Sequence, residues 1–220
     1  PVKFLVHDRC RRRAQRQMTP TYWQQASVDL AKADPVLARF VEHFAGGMLV
    51  SRGDPFATLV RSIVGQQISV KAADSVWTRL LAVLPAVTAS ELLMREPASL
   101  RACGLSARKV EYVVDLARHF DERQIHDDHW SAMSDAEIIS ELTAVRGIGV
   151  WSAEMFLIFN QLRPDVFPLD DIGLQKAVAR HYCRGERPGR RLLVEHGERW
   201  RPWRSVATWY LWRSLDPLPV

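Results

Sequence analysis

The chain is poor in cysteine and has no long apolar run. Only three of its 220 residues are cysteine, at positions 10, 103 and 183. None forms a CxxC pair, and no close Cys/His group has the spacing of a zinc site. Three thiols cannot supply the four thiolates of an iron–sulfur cluster. Cys10, Cys103 and Cys183 therefore read as reduced, mostly structural residues of a cytoplasmic protein. No run of 18 apolar residues occurs, and no apolar h-region follows the basic start, so neither a membrane span nor a signal peptide is expected. No stretch alternates polar and apolar residues over six or more positions, which leaves α/β and all-β folds with little support. Repeats of fixed period, long linkers and low-complexity tracts are also missing.

What is present points to packed helices. Hydrophobic residues make up 47% of the chain, enough for a substantial core. Lys plus Arg number 30 against 25 Asp plus Glu, a net +5 that permits an anionic partner without requiring one. The densest basic run, Arg9 to Arg16, places residues 1–19 in a basic tail ahead of one domain over 20–220. Start signals recur along that domain. Thr21 is a candidate cap; Asp34-Pro35 and Asp54-Pro55 each pair a cap with a first-turn proline; Ser69 opens another helix. Thr88 with Glu91 and Ser134 with Glu137 have capping-box spacing. Val110, Val113, Val114, Ala117 and Phe120 recur at helical period. The expected fold is all-α, with about ten short helices. Eight tryptophans are present, four of them between Trp200 and Trp212, and these read first as core of the last helix.

Two local features carry chemistry. In "TAVRGIGVWSAEMFLIF", Gly147 and Gly149 bracket Ile148 between two helices. Glycine at both positions suits φ > 0 or close approach of another backbone. Ile148 would pin the turn, and the turn amides with the next helix's N-terminus would offer a phosphate site. A plain helix corner with glycine caps fits the same residues. Asp171 follows Gly149 by 22 residues, in "RPDVFPLDDIGLQKAV". Aspartate is a favoured helix cap, so one of the pair can be simply a cap; both roles are filled if Asp170 caps and Asp171 points into a cleft. A carboxylate beside a phosphate grip suits cleavage of an N-glycosidic bond. It would stabilise the oxocarbenium-like sugar and orient or deprotonate water. A leaving base that is already cationic needs no strong general acid. "HDDH", residues 126–129, looks like a metal cluster but lacks a partner motif and reads as a solvated loop.

The segment "LTAVRGIGVWSAEMFLIF…VFPLDDIGLQKA" resembles the helix–hairpin–helix, Gly/Pro-rich loop and aspartate signature of the DNA glycosylase superfamily (HhH-GPD). "LVRSIVGQQISVKAA", "GLSARKVEYVVDLARHF" and "ERWRPWRSVATWYLW" are similar to the 3-methyladenine DNA glycosylase II, AlkA/MAG-like, branch. The resemblance implies two intertwined lobes, about 55–165 and about 20–54 plus 166–220, with a cleft between them. It implies excision of alkylated purines from damaged double-stranded DNA by a nucleoid-associated monomer. The family's catalytic aspartate falls on Asp171, and its hairpin on Arg146, Gly147, Ile148 and Gly149. Trp151 stands where bifunctional lyases carry a Schiff-base lysine, which implies a monofunctional enzyme. Trp151, Met155, Trp212, Tyr22 and Trp23 fall on pocket positions; Met155 replaces an aromatic. Gln67 or Ile68 falls on the wedge that fills the gap left by a flipped base. Relatives hold a monovalent Na+ or K+ through hairpin carbonyls, here those of Thr143, Val145 and Ile148; no other cofactor is implied. A non-catalytic damage-binding module and a glycosylase for deaminated or oxidised bases are the alternatives.

Overall fold

Where a cap side chain precedes a helix former, a helix begins. The computed structural model describes residues 19–215, so the basic run and Cys10 lie outside it. Among those residues there are twelve helices and no strand. They are α1 (Trp23–Ala33), α2 (Pro35–His43), α3 (Pro55–Gly65), α4 (Val70–Val83), α5 (Ala89–Leu93) and α6 (Pro97–Ala102). Then come α7 (Ala107–Asp121), α8 (Asp135–Ala144), α9 (Val150–Phe159), α10 (Ile172–Tyr182), α11 (Arg190–Arg199) and α12 (Arg204–Arg213). Asp34 accepts from the amides of Val36 (2.8 Å) and Leu37 (3.2 Å), and Asp54 from Ala57 (2.7 Å). The Ser134–Glu137 box closes in both directions.

Three local expectations differ from what is found. Thr21 does not cap α1; Tyr22 precedes that helix with its own backbone already helical. The Thr88 box is half made: Thr88 accepts from Glu91, but the Glu91 carboxylate pairs with Arg95 at 2.9 Å, one helical turn on. Asp170 does not cap α10. That role falls to Asp171, whose Oδ1 accepts from Leu174 N at 2.6 Å, while Asp170 is exposed and pairs with Arg190 at 3.0 Å.

The chain divides into two units: 19–51 with 157–215, and 52–156. In the second unit α3 lays Phe56, Leu59, Val60, Ile63 and Val64 into the core beside the Val110, Val113 and Leu116 face of α7. Trp130 is buried edge-on to Phe156 (5.1 Å) and Phe120 (6.4 Å), and its indole donates to Glu141. The same Glu141 accepts from His126 at 2.6 Å, so the "HDDH" loop is tied to α8. Among the described residues no group of His, Cys, Asp and Glu is arranged to hold a metal ion. No helix of these residues is long and apolar enough to cross a membrane.

In the first unit α12 contacts α1, α2 and α10, and it is buried on most sides, with Ser205, Val206, Ala207, Thr208, Tyr210 and Leu211 inside. Asp34 is the polar centre of this unit. Besides capping α2, it accepts from the Tyr182 hydroxyl (2.9 Å) and from the fully buried Trp200 indole (3.0 Å). Asp34→Ala removes a cap worth about 1 kcal/mol. It also strands two donors at roughly 1–3 kcal/mol each. We expect a loss of about 4 kcal/mol in urea unfolding; a loss below about 1 kcal/mol would show that the network adds nothing beyond the cap.

Candidate active site

The approach to Asp171 is held rigidly by α12. Arg204 grips Asp165 with Nε at 2.7 Å and Nη2 at 2.9 Å, a two-pronged pairing. Ser205 N donates to Pro164 O (3.0 Å), and Val166 N donates to Ser205 Oγ (2.9 Å). These bonds fasten the Pro164–Val166 segment to the start of α12. The chain then turns at Pro168, whose carbonyl accepts from Asp171 N at 3.0 Å, and enters α10.

Asp171 is 6% exposed, an unusual burial for a carboxylate. Its Oδ1 accepts from Leu174 N and, at 2.8 Å, from the indole N–H of Trp212. The cap bond places the carboxylate at the positive end of the α10 dipole. The Trp212 ring stacks on Phe159 at 5.6 Å and 13°. Gly173 makes room for this packing: a Cβ there would stand 3.0 Å from Asp171 Oδ1 and 3.1 Å from Trp212 Cδ1. Phe159 and Gly173 were not among the sequence candidates. Gly173 has a legible signal, two residues beyond Asp171 in the "DDIG" run; Phe159 has none, because apolar residues run around α9 without forming one distinct face.

The two early aromatics have different surroundings. Tyr22 stacks on Trp203 at 5.6 Å and 20°, and its hydroxyl donates to Leu162 O at 2.6 Å. Burial raises the pKa of this phenol far above its ordinary value. Trp23 is only 6% exposed and packs edge-on against Trp209, so it is a core residue of the first unit.

In the second unit the hairpin joins α8 to α9. Ile148 N donates to Val145 O at 3.1 Å, closing a turn with Gly147 at φ +86°. Val145 and Ile148 are buried and anchor the turn from within. Tyr112 packs so closely over Gly147 that an added Cβ would lie 2.2 Å from the ring. Gly149 differs: its φ is ordinary and nothing lies within 4 Å of a Cβ built there. Only Gly147 needs glycine for its backbone; Gly149 leaves an open approach to the α9 N-terminus. Asp115 orients the turn by accepting from Arg146 N at 2.8 Å. The Arg146 guanidinium makes an exposed pair with Glu111 at 3.3 Å, of the weakly held kind. Trp151 is 40% exposed on the first turn of α9, and Met155 is half-buried one turn on.

The loop after α3 carries Gln67 at φ +57°, with Gln67 and Ile68 both exposed. Gln66 reaches the hairpin, its Nε2 donating to Gly147 O at 2.8 Å. Thus the second unit brings the candidate wedge loop and the hairpin together, and the first unit brings Asp171 and Trp212 together.

Residues 60–202 match the HhH-GPD superfamily base excision DNA repair protein family. The chain belongs to that family. It is 29% identical to DNA-3-methyladenine glycosylase 1 of Schizosaccharomyces pombe over 81% of this chain and 80% of that one. A Bacillus subtilis relative is 30% identical over 82% of this chain; the match spans only 66% of that relative's length. Among solved structures, the DNA-3-methyladenine glycosidase of Bacillus halodurans superposes with a TM-score of 0.79 at 34% identity, covering 90% of this chain and 92% of that one. The S. pombe 3-methyladenine DNA glycosylase in complex with abasic DNA gives 0.76 at 28% identity, covering 88% and 98%. This HhH-GPD chain therefore shares its fold with glycosylases over nearly its whole described length.

Proposed function

We propose that this HhH-GPD protein is a monofunctional DNA glycosylase that removes alkylated purines, of the 3-methyladenine and 7-methylguanine type, from double-stranded DNA. The observation that carries the reading is Asp171, a buried carboxylate fastened by Leu174 N–H and Trp212 N–H in a chain of this family. Two donors on one oxygen fix the plane of the carboxylate without neutralising it. A fixed negative charge stabilises the cationic sugar as the bond to the base breaks, and it can draw a proton from the attacking water. A cationic alkylated purine leaves without further protonation, so one carboxylate suffices. The electron-rich faces of Trp151 and Trp212 suit such a base when it is turned out of the helix.

In this reading the hairpin holds the DNA backbone. Gly149 and the α9 N-terminus offer amides to a phosphate, and Arg146 exchanges its exposed pair with Glu111 for a phosphate oxygen. Such contacts are blind to sequence, as a search for damage requires. Gln67 and Ile68 fill the space that the departed base leaves. The carbonyls of Thr143, Val145 and Ile148 are the ligands for a Na+ or K+ ion; Val145 O keeps a second lone pair beyond its bond to Ile148 N–H. Trp151 stands where a lyase would need an amine, so the product is free base and an intact abasic strand. The protein acts as a monomer.

A panel of duplexes tests this reading. Each carries one of 7-methylguanine, 3-methyladenine, ethenoadenine, hypoxanthine, uracil or 8-oxoguanine. Free base is expected from the methylated purines first, with no strand nicking and no borohydride-trapped adduct. Release of 8-oxoguanine or uracil alone would move the substrate class. Tight binding to abasic DNA with no base released from any duplex would make the protein a damage-binding module.

A further inference from the structure

Lys109 is a half-buried cation near the start of α7, with no part in the chemistry above. Its ammonium donates at 2.7 Å to Val64 O and at 2.7 Å to Gln66 O. These are carbonyls at the C-terminal end of α3, where intrahelical donors run out and the dipole is negative. A lysine reaching there from another helix satisfies both needs. Burial lowers the pKa of the ammonium, and the carbonyl pair offsets that cost. Directly after this clamp the chain takes the left-handed turn at Gln67, φ +57°. A non-glycine residue holds that conformation only when its surroundings impose it. The imposition comes from both flanks: Lys109 seizes the carbonyl of Gln66, and the Gln66 amide is bonded to Gly147 O of the hairpin at 2.8 Å.

We infer that Lys109 and Gln66 are positioning residues, which hold Gln67 and Ile68 outward and in register with the hairpin so that backbone grip and base displacement occur together. The inference rests on the glycosylase reading above. It separates two functions that share one surface: the hairpin amides hold DNA, and the clamp decides whether the loop can enter it. Lys109→Met keeps the aliphatic stem and deletes both donations. Lys109→Arg keeps charge and donors.

The test uses the full chain and a duplex with 2-aminopurine next to a single 7-methylguanine. Wild type is expected to raise the fluorescence as the neighbouring base leaves the stack, and to release 7-methylguanine. In Lys109→Met both the fluorescence rise and single-turnover excision should fall about tenfold or more, while duplex affinity changes less than about threefold. Lys109→Arg should recover most of both signals. Unchanged fluorescence and rate in Lys109→Met overturn the inference, as does a loss of affinity in step with the loss of fluorescence. Should Lys109→Met fail to fold by circular dichroism, Gln66→Leu leaves Lys109 in place and is read by the same two outcomes. A wild type that releases no base refutes the glycosylase reading, and this inference with it. An active wild type with an unaltered Lys109→Met refutes only the positioning role.

Discussion

Asp171→Asn is expected to bind damaged duplex about as tightly as wild type and to lose roughly 10³-fold in base release. The variant is informative because asparagine keeps both bonds that Oδ1 accepts. It remains a good cap for α10, its amide oxygen still accepts from Leu174 N–H, and the same oxygen can receive the Trp212 indole. The negative charge and the basic oxygen are removed, and in the proposed mechanism these serve the transition state. Asp171→Ala should behave differently. It loses the cap, about 1 kcal/mol. It also leaves the Trp212 N–H without its acceptor, at roughly 1–3 kcal/mol. A fall in activity for the alanine variant would mix chemistry with folding; the pair of variants separates them. Excision by Asp171→Asn within a few-fold of wild type, measured in single turnover, would remove the carboxylate from the mechanism.

Gly147→Ala should be the most damaging small substitution in the hairpin. Two costs add. A φ of +86° is unfavourable for alanine, and the new methyl would lie 2.2 Å from the Tyr112 ring, which must then move. Together we expect a loss of about 2–4 kcal/mol in thermal or urea unfolding. Tyr112→Ala in the same chain should relieve the clash but not the backbone strain, so rescue will be partial. Gly149→Ala is the control. Its backbone is unstrained and its surroundings are open, so stability should stay within about 0.5 kcal/mol. Duplex binding should nonetheless weaken, because the methyl projects where a phosphate would approach the α9 amides. If Gly147→Ala unfolds like wild type, the turn described here is not what requires the glycine.

The contrast between these two glycines shows where sequence reading ends. From "RGIG" alone both positions looked equally in need of glycine. The turn conformation of Gly147 could be suspected, but the ring above it comes from α7, 35 residues earlier. The adjacent aspartates make the same point. Local rules say that one of Asp170 and Asp171 caps α10, and neighbours with identical side chains cannot be told apart by propensity. The local reading gives the cap to Asp170; the structure gives it to Asp171 and sends Asp170 to the surface with Arg190.

What the sequence determined by itself was the helical order of the chain, the starts at Asp34, Asp54, Ser69 and Ser134, the turn between α8 and α9, and the family signature that runs from that turn to Asp171. The helix starts and the turn depend on contacts among residues up to four apart, where side-chain reach and helix geometry suffice, whereas the signature is legible as a resemblance to a family. Only the tertiary structure decided that Trp212 holds Asp171 across 41 positions, that Asp34 collects the donors of Tyr182 and Trp200, that Trp23 is core, and that Lys109 fastens the loop after α3. Each of these joins a polar or aromatic group to a partner far along the chain. The physical reason is desolvation. Once packing buries a carboxylate, an indole N–H or an ammonium, it must find a partner nearby in space, and which partner is there depends on how the helices pack and not on the local pattern.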